Sequence, residues 1–217
     1  MTGAITEEDG ERSVLHFGVP MSAPEVMILD TWRTLGMRGT GSHDVKIDGL
    51  FIPDDKIPMR RKAGEWHPAF HMIATIAFPL IYSVYLGVAQ SARDIAIDIA
   101  KIRLESHRTQ SIAGRMGSAL TGAHLARDYM IGVAERNAPS AQTINDSMIG
   151  RRLVEEQTIK VVELAMELAG GVGFYRKTEL ERRFRDIQAA RYHPLQKEVQ
   201  SECAGVMALG QSVAHIF

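Results

Sequence analysis

The chain has 217 residues, of which 45% are hydrophobic and 24% charged, and its formal net charge is −1 at pH 7. Acidic and basic residues are interspersed, which argues against a nucleic-acid or membrane-surface partner. The single cysteine, Cys203, excludes an internal disulfide framework, and with the polar N-terminus MTGAITEEDGER it predicts a cytoplasmic protein.

The first sixty residues carry the pattern of short strands. We expect residues 1–12 to be disordered, and we predict strands at Ser13–Val19, Glu25–Trp32 and Asp44–Ile52. The alternation of the third strand changes phase at Gly49, which predicts a β-bulge. Because three strands cannot form a stable sandwich alone, residues 1–60 are interpreted as the C-terminal part of a larger β-domain.

From residue 61 the pattern changes to long helices. We predict helices at His71–Arg103 (bent near Pro79), Ile112–Asn137, Ile144–Ala169, Thr178–Tyr192 and Leu195–Val213. Helices of this length joined by short turns form an antiparallel bundle. The predicted fold class is therefore mainly α: a helical bundle domain over residues 61–217, preceded by a partial antiparallel β-domain.

One helical segment is apolar enough to be compared with a membrane span. Residues 72–89, MIATIAFPLIYSVYLGVA, are 18 in number without a charge, which is the minimum length for a membrane span. Pro79 and several polar residues dilute the segment, and its continuation carries Arg93, Asp94 and Asp98. We interpret it as the central helix of the bundle, buried all round, rather than as a membrane span.

A glycine-rich turn, Gly170–Gly173, is predicted between two helices. Its amides would be free to meet an anion, although a helix cap followed by a turn is the plainer interpretation of the spacing alone. Thr178 and Glu181 predict a capping box at the start of the next helix, with Leu180, Phe184 and Ile187 as its buried stripe. Pro194 ends that helix just after His193.

Two stretches resemble the acyl-CoA dehydrogenase superfamily: ELAGGVGFYRKTELERRFRD around the glycine turn, and Asp30–Pro53, DTWRTLGMRGTGSHDVKIDGLFIP. The resemblance implies the end of that family's middle β-domain followed by its C-terminal helical domain. It also implies a homo-oligomer, a dimer or tetramer formed through the helical domain, in which the glycine loop of one subunit contacts the FAD of its neighbour. The family's N-terminal helical domain and the first half of its β-domain have no counterpart here, so we expect a fragment, a truncated gene or half of a split enzyme.

The same resemblance implies which residues bind the cofactor. The positions that match the family's pattern are Arg103, Gly170, Gly171, Gly173 and Phe174. Ser106 and His107 stand where the family has Phe and Gly, and Glu167 stands where a glutamine is expected. The expected cofactor is FAD. Because a carboxylate beside its pyrophosphate would repel it, weak FAD binding or replacement by FMN is the alternative. No histidine spacing indicates a metal site.

Dehydrogenases of this family use a glutamate base, and both of its known positions lack a carboxylate here. One falls on His193 or Pro194, and the other lies within FHMIATIAFPL, which contains no acid. A histidine at this place resembles the flavin-dependent monooxygenase branch, which takes reduced flavin from a separate reductase. His193 is therefore the catalytic candidate, and we expect the helix dipole to raise the pKa of its imidazole. A histidine that merely caps the helix is the alternative.

Three functions remain open from the sequence. The general resemblance favours an acyl-CoA dehydrogenase-like flavoprotein oxidoreductase that acts on acyl-CoA or a related small molecule. The missing glutamates and His193 favour the oxygenase component of a two-component flavin-dependent monooxygenase. The third reading is a non-catalytic oligomerisation module that has lost its flavin.

Overall fold

A computed structural model of the protein describes residues 2–65, 67–194 and 196–211. Of these, residues 2–34 and 38–67 form a compact β unit. Residues 35–37 join the residues that follow 67 in a compact helical unit. The fold class predicted from the sequence, a helical bundle preceded by antiparallel β-structure, is confirmed.

In the part of the chain that the structure describes, the β unit contains five short strands in two antiparallel sheets. The strands are β1 (Thr2–Glu8), β2 (Glu11–Phe17), β3 (Val26–Ile28), β4 (Val45–Ile47) and β5 (Met59–Lys62). The first sheet has the order β1-β2-β5, and the second pairs β3 with β4. Short 3-10 turns at Arg38–Thr40 and Asp54–Lys56 interrupt the connections.

The expectation that residues 1–12 are disordered is wrong for the described residues. Strand β1 pairs with β2 in a hairpin whose register runs from Thr2 opposite Phe17 to Glu8 opposite Glu11. The turn is Asp9-Gly10, and both residues have positive φ angles, of 52° and 80°. Asp-Gly is a preferred pair for the two-residue turn that matches strand twist, and this signal outweighs the charge of the segment.

The other strand predictions erred in length and number. Strands β3 and β4 are shorter than predicted, and β4 ends at Ile47, so Gly49 makes no bulge. Gly49 instead has a φ of 76° in the turn that follows. Strand β5, MRRK, was not predicted, because its charged residues lack an apolar alternation; such residues are typical of an edge strand.

Among its described residues, the helical unit contains six α-helices. They are α1 (Pro68–Met72), α2 (Phe78–Ala100), α3 (His107–Glu135), α4 (Ala141–Ala169), α5 (Leu180–Ile187) and α6 (Lys197–Ala208). A π-helical turn, Ile73–Ala77, joins α1 to α2, so the irregularity predicted near Pro79 lies just before it. A 3-10 turn, Lys101–Arg103, ends α2. Ser140 caps α4 in a capping box with Thr143.

Helix α4 is the centre of the bundle and packs against α2, α3, α5 and α6. Its residues Val154, Val161, Val162 and Ala165 have no exposed surface. The segment Ile73–Arg103 is long and apolar enough for a membrane span by length and composition. It packs against α3 and α4, so the prediction of a bundle helix is confirmed. The prediction that this helix is central and buried all round is wrong, because α4 is the central helix and 44% of the apolar window is buried.

The helix after the glycine turn is shorter than predicted. Glu179 adopts a left-handed conformation (φ 57°), so α5 begins at Leu180 instead of Thr178. The predicted capping box is absent, because the Thr178 hydroxyl donates to the Tyr175 carbonyl. Phe184 is 39% exposed, which leaves Leu180 and Ile187 as the buried stripe. The predicted ends of the last helix, Leu195 and Val213, lie outside the described residues.

The segment Leu35-Gly36-Met37, which we call the LGM segment, is bound to α5. The Arg185 guanidinium donates to the Leu35 carbonyl (3.0 Å), and the Met37 amide donates to the Asp186 carboxylate (2.7 Å). Gly36 lies so close to α5 that a Cβ atom there would stand 2.2 Å from the Arg185 carbonyl oxygen. The Arg-Asp pair of the sequence motif therefore anchors this segment to the helix that leads to His193.

Candidate functional site

His193 lies where the chain leaves its last helical turn before Pro194. Helix α5 passes into a 3-10 turn, Gln188–Tyr192, and His193 then takes extended backbone angles (φ −72°, ψ 144°). Proline restricts the residue before it to this region, so the sequence itself ends the helix here. The side chain is half-buried, which argues against a histidine that only caps the helix into solvent.

The imidazole of His193 packs between two tyrosines of α2. The Tyr85 hydroxyl lies 2.7 Å from Nε2 of His193, and the two ring centroids are 5.5 Å apart. The Tyr82 ring lies 5.7 Å from the imidazole, in an edge-on arrangement. The Tyr82 hydroxyl donates to the Ala190 carbonyl (2.8 Å), which fixes the 3-10 turn that precedes the histidine.

A buried arginine on α4 completes this group. Arg151 is 1% exposed, and its guanidinium lies over the rings of Phe78 and Tyr82, at 5.4 and 5.6 Å from their centroids. Its Nη1 donates to the carbonyls of His193 (2.8 Å) and Pro194 (3.0 Å). A buried cation is tolerated only with such partners. We call Tyr82, Tyr85, Arg151 and His193 the histidine cluster.

Burial dominates the electrostatics of the histidine cluster. It raises the pKa of Tyr85 to about 12 and raises the pKa of Tyr82 as well, so both phenols stay neutral. Burial, and then the positive charge of Arg151, lower the pKa of His193. The expectation that the helix dipole would raise this pKa is wrong, because desolvation and a neighbouring cation both disfavour the imidazolium.

The glycine turn is more ordered than a loop of free amides. Residues Gly170–Phe174 form a 3-10 turn, in which the Gly170 amide donates to Met166 and the Tyr175 amide donates to Val172. The prediction that the amides of this turn are free is therefore wrong for Gly170. Gly170 has a φ of 64°, and a Cβ atom at Gly171 would meet nothing within 4 Å, so the backbone surface here is open to a ligand.

The other predicted cofactor residues lie in this turn or beside it. The Arg103 guanidinium donates to the Leu168 carbonyl (2.9 Å), which ties the end of α2 to the end of α4. Gly173 is buried against Leu180, and Phe174 is 82% exposed. The structure thus brings Arg103, Gly170, Gly171, Gly173 and Phe174 to one end of the bundle.

Glu167, expected to repel a phosphate, has basic neighbours. Its carboxylate lies 3.6 Å from the Arg108 guanidinium and 3.9 Å from that of Arg115. These two arginines offset the negative charge of Glu167, so the carboxylate is a weaker argument against a dinucleotide than the sequence suggested.

Few other side chains compete for a catalytic role. Glu155 is buried but forms an ion pair with Arg152, and Glu198 is exposed on α6. His71 is buried and hydrogen-bonds with the Thr143 hydroxyl (3.1 Å). Within residues 2–65, 67–194 and 196–211, no group of three metal-ligating side chains comes together.

His193 was predicted from the sequence, but its partners in the histidine cluster were not. Tyr82 and Tyr85 are three residues apart in the uncharged segment, a spacing that places them on one face of a helix, and this signal was available. Arg151 gave no signal, because an arginine on a long helix is usually solvated.

Comparison with known proteins agrees with this architecture. An amino sugar nitrososynthase from Streptomyces peucetius is 26% identical over 81% of this chain and 46% of its own length. A putative acyl-CoA dehydrogenase from Bacillus subtilis is also 26% identical, over 79% of this chain and 46% of its own length. The chain spans about half the length of these curated relatives.

Among solved structures, KijD3 in complex with FMN and a dTDP-linked amino keto sugar superposes with a TM-score of 0.86 at 25% identity. The match covers 97% of this chain and 55% of that one. The family model for the acyl-CoA dehydrogenase C-terminal domain matches residues 80–198, which is more than half of the chain. The chain belongs to the acyl-CoA dehydrogenase C-terminal domain family.

Proposed function

We propose that this chain is part of the oxygenase component of a two-component flavin-dependent monooxygenase acting on a small organic molecule. The observation that carries the proposal is the histidine cluster: where a dehydrogenase of this family would place a glutamate base, this chain places an imidazole hydrogen-bonded to a buried phenol. Relatives of both kinds, a nitrososynthase and a putative dehydrogenase, match the chain equally well. The chemistry of the site favours the monooxygenase.

The carboxylates of the helical unit support this choice. A dehydrogenase base must be a carboxylate that is free to accept the α-proton of a thioester. Glu155, buried on α4, is held by Arg152, and Glu198 is exposed to solvent. Neither offers an unengaged carboxylate in an apolar pocket, so acyl-CoA dehydrogenation is the less favoured function.

The residues around the glycine turn fit the phosphate end of a flavin nucleotide. Gly170 and Gly171 leave open backbone surface, Phe174 presents an exposed aromatic ring, and Arg103, Arg108 and Arg115 supply positive charge nearby. We propose FAD as the cofactor, with FMN as the alternative. The flavin, bound in its reduced form, would supply the electrons for activating oxygen, and a separate reductase would reduce it.

We further propose a homodimer or tetramer in the cytoplasm, assembled through the helical unit. Several large apolar side chains of the helices are exposed in the single chain, among them Ile76, Leu80 and Val84 at helical spacing on one face. Burial of such a face against a second copy would stabilise an oligomer.

The flavin preference of the purified 217-residue chain tests this proposal. Reduced FAD and reduced FMN would be titrated under anaerobic conditions and compared with the oxidised forms. We expect the reduced form to bind more tightly and a saturated acyl-CoA to leave bound flavin unchanged. Oxidised FAD that is retained and then bleached by an acyl-CoA would establish the dehydrogenase instead. Absence of binding in either redox state would favour the oligomerisation module.

A substitution tests the role of His193. In the complete oxygenase, His193→Ala should lower product formation by at least about tenfold, because removing one positioned hydrogen-bond donor typically costs about 10²–10³ in kcat. His124→Ala is the matched control, since His124 is also half-buried but lies on α3, where it contacts Gln90. Equal rates in the two variants would remove His193 from the reaction.

A further inference from the structure

The protonation form of His193 can be read from its contact with Tyr85. The Tyr85 side chain is 3% exposed, and among the described residues its hydroxyl has one hydrogen-bond partner, Nε2 of His193 at 2.7 Å. A buried hydroxyl needs an acceptor for its proton, and a tyrosine with a pKa of about 12 keeps that proton. Tyr85 therefore donates, and Nε2 accepts. In a neutral imidazole this leaves the ring proton on Nδ1.

Arg151 contacts the same residue through its backbone. Its Nη1 holds the carbonyls of His193 and Pro194 together, which fixes the backbone that carries the ring. The guanidinium is itself held over the rings of Phe78 and Tyr82. A fixed, buried positive charge so close to the imidazole makes a second positive charge there unfavourable.

We propose that Tyr85 and Arg151 are positioning residues that hold His193 as a neutral imidazole protonated on Nδ1, so that the ring serves as a hydrogen-bond donor. A neutral imidazole protonated on Nδ1 excludes two other catalytic roles for this histidine. A cationic imidazolium would act as a strong acid, and an imidazole with a free acceptor nitrogen would act as a general base. The inference rests on the proposed function for its place in a reaction, but its test does not involve flavin.

The groups that set the charge of His193 come from two helices. Tyr82 and Tyr85 face it from α2, and both phenols remain neutral. Arg151 faces it from α4, and Glu155, one turn further along α4, contributes to the electrostatics of Arg151 and Tyr82. Burial and Arg151 act on His193 in the same direction, and both favour the neutral ring.

Nitrogen NMR of the 217-residue chain, labelled with ¹⁵N in its histidine side chains, tests the inference. The ¹⁵N shifts distinguish a protonated ring nitrogen from an unprotonated one, and a pH titration gives the pKa of each histidine. In the unmodified chain we expect Nδ1 of His193 to be protonated, Nε2 to be unprotonated, and the pKa to lie below 6.5. A protonated Nε2 in the neutral ring, or a pKa at or above 6.5, would overturn the inference without any variant.

Three substitutions assign the effect to its causes. Arg151→Met removes the charge and should raise the pKa of His193 towards 6.5, whereas Arg151→Lys keeps the charge and should leave it low. Tyr85→Phe should release Nε2, so that the proton is shared between the two nitrogens. An unchanged pKa in folded Arg151→Met, or an unchanged tautomer in Tyr85→Phe, would remove the corresponding residue from the proposal.

The inference can still be tested if Arg151→Met does not fold or if the chain binds no flavin. Should Arg151→Met not fold, a pKa at or above 6.5 in Arg151→Lys, which retains the positive charge, would contradict the role of that charge. A chain that binds no flavin would end the proposed function and leave the NMR result standing. A protonated Nε2 would end this inference and leave flavin binding unaffected.

Discussion

The contact between the LGM segment and α5 makes a sharp prediction for Gly36→Ala. A Cβ atom at position 36 would lie 2.2 Å from the Arg185 carbonyl oxygen, 2.4 Å from its carbon and 2.6 Å from Cα of Asp186. All three atoms belong to the backbone of α5, which cannot rotate aside as a side chain can. The LGM segment must therefore move away from the helix.

That movement would break two hydrogen bonds to charged groups, the Met37 amide to Asp186 and Arg185 to the Leu35 carbonyl. Hydrogen bonds to charged groups contribute about 1.5–3 kcal/mol each, and the second is exposed, so we expect a loss of about 2–4 kcal/mol in the free energy of unfolding. Met37 holds a positive φ of 52°, and its release from Asp186 would let it relax and regain a small part of this.

Urea unfolding and amide hydrogen exchange measure this loss. With a slope of about 2 kcal/mol/M, the urea midpoint of Gly36→Ala should fall by about 1–2 M, and the Met37 amide should lose its protection. Gly39→Ala is the control: a Cβ atom there meets nothing within 4 Å, so its effect should stay within about 0.5 kcal/mol. If the two variants unfold at the same midpoint, the close approach of this segment to α5 is wrong.

The remaining predictions concern catalysis, packing, pH and assembly. The chain supplemented with FAD should not reduce a dye acceptor with any saturated acyl-CoA; measurable turnover would contradict the proposed function. Tyr82→Phe should cost about 1–3 kcal/mol in urea unfolding, since the Ala190 carbonyl loses its donor, while Tyr129→Phe, 45% exposed, should cost far less. Folding lowers the pKa of His193, so the unfolded chain binds a proton at this imidazole more readily than the folded chain does. The free energy of unfolding should therefore fall as the pH drops below 6.5, and it should fall less in His193→Gln. Equal pH profiles for the two proteins would refute this. Sedimentation at micromolar concentration should give a mass of at least two chains, and a mass near 24.0 kDa would exclude the oligomer.

Long-range architecture was predictable because it depends on patterns that repeat. The apolar period along α4, and the break at residues 137–139 that separates it from α3, predicted two long helices to within five residues of their observed ends. The short segments were harder. The hairpin at Asp9-Gly10 and the left-handed Glu179 each depend on the conformation of one or two residues, which decides whether a strand forms or where a helix starts.

In the candidate site, too, one feature could be predicted from the sequence and others could not. His193 could be identified from its place after the Arg-Asp pair and before Pro194. Its charge state could not, because the desolvation that lowers its pKa depends on side chains from two other helices. Arg151 lies 42 residues before His193, and nothing in its local sequence shows that its guanidinium turns inward onto the His193 carbonyl.

If His193 takes part in the flavin reaction as proposed, its imidazole must lie next to the bound flavin, and anaerobic NMR tests this position most directly. Reduced FAD or FMN would be titrated into the chain labelled with ¹⁵N in its histidine side chains, while the ring nitrogens of His193 and His124 are followed. We predict that the signals of His193 shift as the flavin binds and that those of His124, on α3, do not. Saturable flavin binding that leaves His193 unchanged, or a failure of reduced flavin to bind at all, would contradict the account.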